Sequence, residues 1–325
     1  MIDYNNLADN AINNQVFFGN IDSVNWQTWE KPKNCKYVYI LAIGSGSGGG
    51  AGRRSQSNAA AGGGGGASGG ITKGFFQADV LPDVLYVQVG SGGFGGTGAS
   101  VQANGGAGGP GEITYVAVGP NTGPAYIVIQ SGTVAATAGG GGTVSAGAGG
   151  VAETIWGLTG AFGNIGQMSS EPGQNGGAGT LNVTNGGSIT LTKFVSGGAG
   201  GGGTSSATST SAGGSVTGAG IVPTIPGVGG TAPAASYTAP VAGAGYQTRM
   251  PGKSYTNRDP LIFTGGAAGG GLVVASGTGI ASYGGNAAFG SGGGGGGGCN
   301  LSTGTFGRSG DGGRGGDGLV IITCF

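Results

Sequence analysis

Apolar positions fall in short bursts separated by long glycine-rich tracts. KYVYILAIG (36–44) mixes β-branched and aromatic residues and ends in Gly. DVLYVQVG (83–90) follows Pro82 and has the same form. EITYVAVG (112–119), PAYIVIQSG (124–132), SITLTKFV (188–195), DPLIFTG (259–265), GLVVASG (271–277) and GLVIITCF (318–325) follow. Runs of this composition, bounded by Gly and Pro, predict eight strands. No window carries a 3.6-residue apolar period over the length of a helix. The pattern predicts an all-β fold, a jelly-roll-like β-sandwich with essentially no α-helix in its body.

The tracts between the strands change that picture. Glycine accounts for 87 of 325 residues and charged residues for 7%. A flexible linker would share this composition, but it has no reason to carry recurrent apolar bursts. Collagen is excluded because Gly-X-Y is not sustained and Pro numbers only 12. Gly48–Gly50, Gly62–Gly66, Gly139–Gly142, Gly200–Gly203 and Gly292–Gly298 are expensive to order. The ordered state open to them is a left-handed extended helix of three residues per turn. Lacking Cβ, such helices can lie side by side and exchange N–H···O=C bonds; this is polyglycine II. In TFGRSGDGGRGGDG (305–318), Arg308, Asp311, Arg314 and Asp317 recur every third residue with alternating sign. On such a helix they form one charged stripe and leave two glycine faces free to pack.

Residues 1–30 differ from the rest. They are Asn-rich, contain a single Gly, and carry Phe17, Phe18, Trp26 and Trp29. Two readings follow: an attachment segment that docks through these aromatics, or a terminal strand or short helix packed on the body. The division expected is 1–30 and a glycine-rich body, 31–325, with a variable, loop-rich insertion at about 131–290.

Twelve basic and twelve acidic residues cancel, so no net field draws nucleic acid or an anionic membrane. Three widely spaced cysteines without a CxxC argue against a disulfide framework and a zinc site. The N-terminus lacks a basic and then apolar leader, and no uncharged apolar run reaches membrane-spanning length. The chain is therefore expected to fold in a cytoplasm and to insert in no membrane. G-x-G-x-x-G occurs at Gly44–Gly46–Gly49 and Gly90–Gly92–Gly95. In so glycine-rich a chain the pattern arises by chance, and neither copy opens a good helix former. With no His, the commonest general base is absent. Glu30, Asp79, Glu112, Glu153 and Glu171 show no paired spacing, and solvation or local hydrogen bonding accounts for each. No catalytic residue, cofactor or metal ligand is expected, and the chain reads as a structural protein rather than an enzyme.

The most site-like stretch is SYTAPVAGAGYQTRMPGKSYTNRDP (236–260), where Tyr237, Tyr246 and Tyr255 mix with Arg249 and Arg258 between turn signals. Tyr and Arg dominate recognition hot spots. The competing reading is a solvated loop whose tyrosines pack on the body.

TWEKPKNCKYVYILAIGSGSGGGAG (28–52), GGGGGASGGITKGFFQADVLPDVLYVQVGSGGFGG (62–96) and GGRGGDGLVIITCF (312–325) together resemble the glycine-rich tail and fibre domains of bacteriophages. The likeness covers about residues 26–130 and 290–325; the middle is similar in composition only. Distal adhesins of T-even type resemble it in strategy. The resemblance implies a β-sandwich carrying polyglycine II helices, and a place in the virion, assembled in the host cytoplasm. It implies a fibre or tail adhesin that presents loops to the host, or else a head or tail decoration without receptor contact. The partners implied are other virion proteins through residues 1–30, a host surface glycan or envelope protein, and further copies of the chain, as in a trimer. No catalytic residues carry over.

Overall fold

The computed structural model describes residues 13–19, 25–56, 59–157, 166–181, 185–205, 208–218, 223–229, 231–245, 262–303 and 305–325. Its strands are β1 (Asn13–Phe18), β2 (Gln27–Glu30), β3 (Tyr37–Ile43), β4 (Arg54–Ser55), β5 (Ile71–Gln77), β6 (Val84–Gln88), β7 (Tyr115–Ala117), β8 (Ile127–Gln130), β9 (Gln167–Glu171), β10 (Ile189–Thr190), β11 (Val216–Thr217), β12 (Thr231–Tyr237), β13 (Leu272–Ile280), β14 (Cys299–Leu301), β15 (Phe306–Arg308) and β16 (Leu319–Cys324). One 3-10 turn, Ala78–Val80, is the helical element among the described residues.

Two antiparallel sheets face each other. One has the order β1-β16-β3-β5-β9, the other β2-β6-β7-β8. Alternation along β3 sends Val38, Ile40 and Ala42 inward, where they meet Phe76, Val320 and Ile322. Trp29, Leu85, Val87, Val116 and Ile129 of the second sheet close the same core. The fold is thus nearly all β, as the apolar runs predict. Of those runs, 36–44, 83–90, 112–119, 124–132, 271–277 and 318–325 hold strands. SITLTKFV keeps only the two-residue β10. Of DPLIFTG, Asp259, Pro260 and Leu261 lie outside the described residues, and Ile262, Phe263, Thr264 and Gly265 belong to none of the strands.

The glycine tracts leave this sandwich as a bundle of extended segments with a three-residue hydrogen-bond period. In the segment 44–54, N–H groups of Gly44, Ser47, Gly50 and Arg53 bond to carbonyls of Gly70, Ala67, Gly64 and Ala61. Those of Ser45, Gly48, Ala51 and Arg54 bond to Glu112, Gly109, Gly106 and Ala103. Those of Gly46, Gly49 and Gly52 bond to Gly316, Gly313 and Gly310. All eleven are 2.8–3.1 Å long. The same segment accepts from Gly93 and Gly96, from Gly139 and Gly142, and from Gly293, Gly296 and Cys299. Three antiparallel neighbours receive its donors and three parallel ones supply its acceptors. Segments 61–70, 196–204, 264–271 and 290–298 keep the three-residue period with other mixtures of parallel and antiparallel neighbours, and together these five form the centre of a slab.

Glycine is needed here for its missing Cβ and not for a left-handed φ. Gly277 and Gly290 have positive φ, and the tract glycines do not. Instead, a Cβ on Gly49 would lie 2.1 Å from the Gly294 carbonyl oxygen, and one on Gly63 2.1 Å from that of Gly50. At the perimeter the constraint lifts at every third residue. Phe94 and Thr97, then Ala107 and Pro110, then Ala148 and Val151, are exposed while the residues between them are not. The stretch expected as a loop-rich insertion, 131–290, supplies much of this slab, including 147–153, 196–204 and 264–271.

At its far end the slab runs into a parallel sheet, β12-β13-β14-β4, with β15 also beside β13. Segments 44–53, 264–271 and 290–298 continue directly into β4, β13 and β14. From β15 the chain returns through 309–318 to β16 in the sandwich. A segment of ten residues is about 30 Å long at about 3.1 Å per residue.

One expectation is overturned. Cys35 and Cys324 form a disulfide across 289 residues of sequence. Strand pairing makes it possible: β16 lies beside β3, and Lys36 and Phe325 are joined through the backbone. The turn that delivers Cys35 carries Asn34 at φ 68°, a conformation Asn tolerates. Spacing along the chain cannot reveal a bridge made by topology.

Candidate functional site

Of the predicted recognition residues, Tyr237 lies in β12, half buried beside the cluster of Leu272, Val274 and Leu301, with its hydroxyl 3.4 Å from Ser282 Oγ. Tyr246, Arg249, Tyr255 and Arg258 fall outside the described residues. The predicted docking aromatics divide. Phe17 and Trp29 are core residues, each at most 3% exposed. Phe18 stays exposed beside Phe289, and Trp26 is half buried. Of the two readings of residues 1–30, terminal strands packed on the body describe Asn13–Phe18 and Gln27–Glu30.

The charged stripe lies on the slab perimeter, in a segment with the expected three-residue period. Arg308 pairs with Asp311 at 2.7 Å and Arg314 with Asp317 at 2.8 Å. The aspartates also serve the lattice. Asp317 accepts from the Gly92 N–H at 2.8 Å, and Asp311 accepts from the Gly98 N–H. Arg314 lies over Phe94, which is 76% exposed. Beside this stripe a cavity of about 380 Å³ is lined by Gly245, Asn286, Phe289, Arg314 and Asp317.

The outer face of the first sheet carries a second arrangement. The register sets Tyr39, Phe75 and Gln167 in one row, and Leu41, Lys73 and Ser169 in the next. Phe75 stacks on Tyr37 with ring centroids 5.3 Å apart and planes 15° from parallel. Both remain about 40% exposed, Tyr37 at 43% and Phe75 at 39%. Lys73 binds Glu171 at 3.5 Å and lies 4.5 Å from the centre of the Phe194 ring. Between the two rows is a cavity of about 370 Å³, lined by Tyr39, Lys73, Phe75, Gln167 and Ser169 over the Gly74 backbone. The alternation in KYVYILAIG and ITKGFFQ puts these side chains on one face. It does not say that this face is left partly open.

At the junction of sandwich and slab, Glu153 is fully buried. One carboxylate oxygen accepts from the Gly70 N–H at 2.6 Å and the other from the Ser131 hydroxyl at 2.7 Å. Burial outweighs both donors and pushes its pKa up to about 7. Burial, and then the nearby negative charge of Glu153, raise Tyr115 as well. Local hydrogen bonding accounts for this acid; its complete burial is what the sequence concealed. Burial also pushes the Cys299 thiol up to about 12, so the residue is a small apolar core member. No group of His, Cys, Asp and Glu among the described residues could hold a metal ion. None of the described helices is long and apolar enough to cross a membrane.

Residues 22–161 match the family model described as a glycine-rich domain. The match takes in the second sheet, β3, β5 and the slab segments 44–54, 61–70, 91–112 and 136–153. No curated protein matches the chain.

Proposed function

We propose that this chain is a structural protein of a bacteriophage particle, a fibre or tail adhesin that holds recognition surfaces against the host. The slab carries the reading. Its centre is fixed by backbone bonds, while every third perimeter residue is free of that constraint. Such a scaffold can change what it displays without changing its fold. The resemblance of residues 26–130 and 290–325 to phage tail and fibre domains supports the same reading. Residues 1–30 are the proposed attachment to other virion proteins, with Phe18 and Trp26 as the aromatics still accessible. The chain does no chemistry in this proposal, because a structural lattice with isolated, paired or buried acids offers no acid–base couple.

A second reading, a decoration protein without receptor contact, is favoured by one observation. Val134, Val144, Val151 and Ile155 are each more than half exposed, and apolar side chains left open in this number suit a neighbouring protein. The test is binding of the labelled full chain to host cells, alongside incorporation of a deletion mutant into particles. Saturable binding supports the adhesin. No binding, together with particle assembly lost on deletion, supports decoration.

A further inference from the structure

We infer that the outer face of the first sheet is a binding site for a neutral pyranose sugar, centred on Phe75 and Tyr37; the expectation that such a sugar belongs to the host surface rests on the adhesin reading. Large aromatic rings exposed in pairs are uncommon on a soluble surface unless something covers them. Here the two rings stack on each other, so part of each is covered by the other, and what stays exposed, about 40% of each residue, is a stepped apolar surface rather than a deep slot. The C–H groups on one face of a pyranose match such a surface, because they meet the electron-rich ring faces. The sugar's hydroxyls need partners at the rim, and the adjoining cavity supplies them. Gln167 and Ser169 are exposed there, beside the Tyr39 and Phe75 rings. Its volume, about 370 Å³, falls in the range of small-ligand sites, about 300–1,000 Å³.

The charges choose the class of sugar. Among the described residues Lys73 is the only cation lining the cavity, and it is already matched by Glu171 and covered by Phe194. A uronic or sialic acid would find no free cation among these described lining residues to meet its carboxylate. A neutral hexose or N-acetylhexosamine needs none. The aromatic surface is also preorganised. Tyr37, Tyr39 and Phe75 stand on two paired strands of a five-stranded sheet whose other face is the main core. Little order must therefore be gained on binding.

The test is saturation-transfer NMR on the full chain. The probes are the methyl glycosides of glucose, galactose, mannose and N-acetylglucosamine, with methyl glucuronide as the acidic probe. Transfer to the ring protons of at least one neutral glycoside, and none to the glucuronide, is expected. Phe75→Ala and Gln167→Ala should each weaken that binding by about tenfold or more, with melting temperatures unchanged. Phe94→Ala, on the slab, should leave it intact. Gln167 is exposed and outside the core, so its variant tests the site even if Phe75→Ala folds poorly. Absence of transfer from every neutral glycoside, preference for the glucuronide, or undiminished binding in Gln167→Ala and a folded Phe75→Ala would overturn the site. Host-cell binding of the same variants separates the two readings. Cell binding that survives Phe75→Ala removes this site from host attachment but keeps the adhesin. Sugar binding without any cell binding keeps the site and removes the adhesin.

Discussion

Trp29 and Gly49 occupy equally enclosed positions in the two halves of this molecule, and they are enclosed for opposite reasons. Trp29 is 1% exposed because apolar side chains of both sheets close over it. Gly49 is buried because its own lack of a side chain lets the carbonyl of Gly294 approach. The sandwich is held by removing apolar surface from water, which is tolerant of shape and insensitive to direction. The slab is held by directional bonds between backbones. A net gain of about 0.5–1.5 kcal/mol per bond barely meets the ordering cost of about 1–2 kcal/mol per residue. Close backbone contact adds dispersion and weak Cα–H···O attraction, yet a polyglycine bundle of this kind has little surplus. That explains its place between two sheets. The sandwich clamps one end, and at the other Leu272, Val274, Cys299 and Leu301 do the same. Phe263, Phe289 and Val195 bridge slab and sandwich against Ile43 and Leu319.

The largest expected effects test this division. Gly49→Val should prevent folding or cost well over about 3 kcal/mol, since the added atoms displace backbone on which several buried bonds depend. Gly229→Ala should stay within about 0.5 kcal/mol, because a Cβ there meets nothing within 4 Å. Trp29→Ala should cost about 3–5 kcal/mol by the cavity it leaves. If the slab relies on its clamps, amide exchange at Gly49, Gly63 and Gly295 should accelerate in Trp29→Ala as much as exchange in β3. Urea unfolding and hydrogen exchange read these outcomes. A slab that keeps its protection while the sandwich opens would show that it stands alone.

How much of this was legible in the sequence follows the same division. Strands β3, β6 and β16 could be read because apolar side chains identify them. The three-residue period of 308–317 could be read because four charges mark it. The pairing of slab segments could not, since Gly62–Gly66 and Gly292–Gly298 carry no side chains that distinguish one partner from another. Register there comes from how the strands at each end place the segments. The Cys35–Cys324 bridge and the buried Glu153 were hidden for the same reason, as both arise where distant segments meet. Tyr37 and Phe75 could be assigned to one face by alternation, but neighbours decide whether that face is covered.

A middle-sized effect lies at the seam between the two regions. Glu153 has a folded pKa of about 7 and, once unfolded, an ordinary value of about 4.3. The folded state therefore holds a proton that the unfolded chain gives up between these values. Stability from this group is fully present below about pH 4.3 and is lost as pH rises toward 7, then stays level. The loss is on the order of 3 kcal/mol. Glu153→Gln should flatten the profile, because an amide can face its oxygen to the Gly70 N–H and its NH2 to Ser131. Urea midpoints measured from pH 4.5 to 8 give the test. A variant that keeps the wild-type slope would place the titrating group elsewhere.

The smallest effect asks whether a side chain can take part in the slab on the backbone's terms. Asp317 and Arg314 form an ion pair, and an account based on charge would assign them equal weight. The geometry does not. Arg314 gives Asp317 a partner that is 44% exposed, and exposed pairs contribute about 0–1 kcal/mol. Asp317 also receives the N–H of Gly92, a buried residue at the perimeter seam. Its carboxylate does there what a neighbouring carbonyl does in the slab centre. Arg314→Ala should then cost no more than about 0.5 kcal/mol, since Asp317 keeps the Gly92 bond. Asp317→Ala leaves that N–H without its acceptor and should cost about 1–3 kcal/mol. Asp317→Asn restores an oxygen without the charge and should recover most of the loss. High salt, which screens the ion pair, should hardly move the wild-type midpoint. Thermal and urea unfolding of the three variants decide the matter. Equal losses in Arg314→Ala and Asp317→Ala, or no recovery in Asp317→Asn, would mean that charge holds this edge of the slab and that its logic differs from the centre.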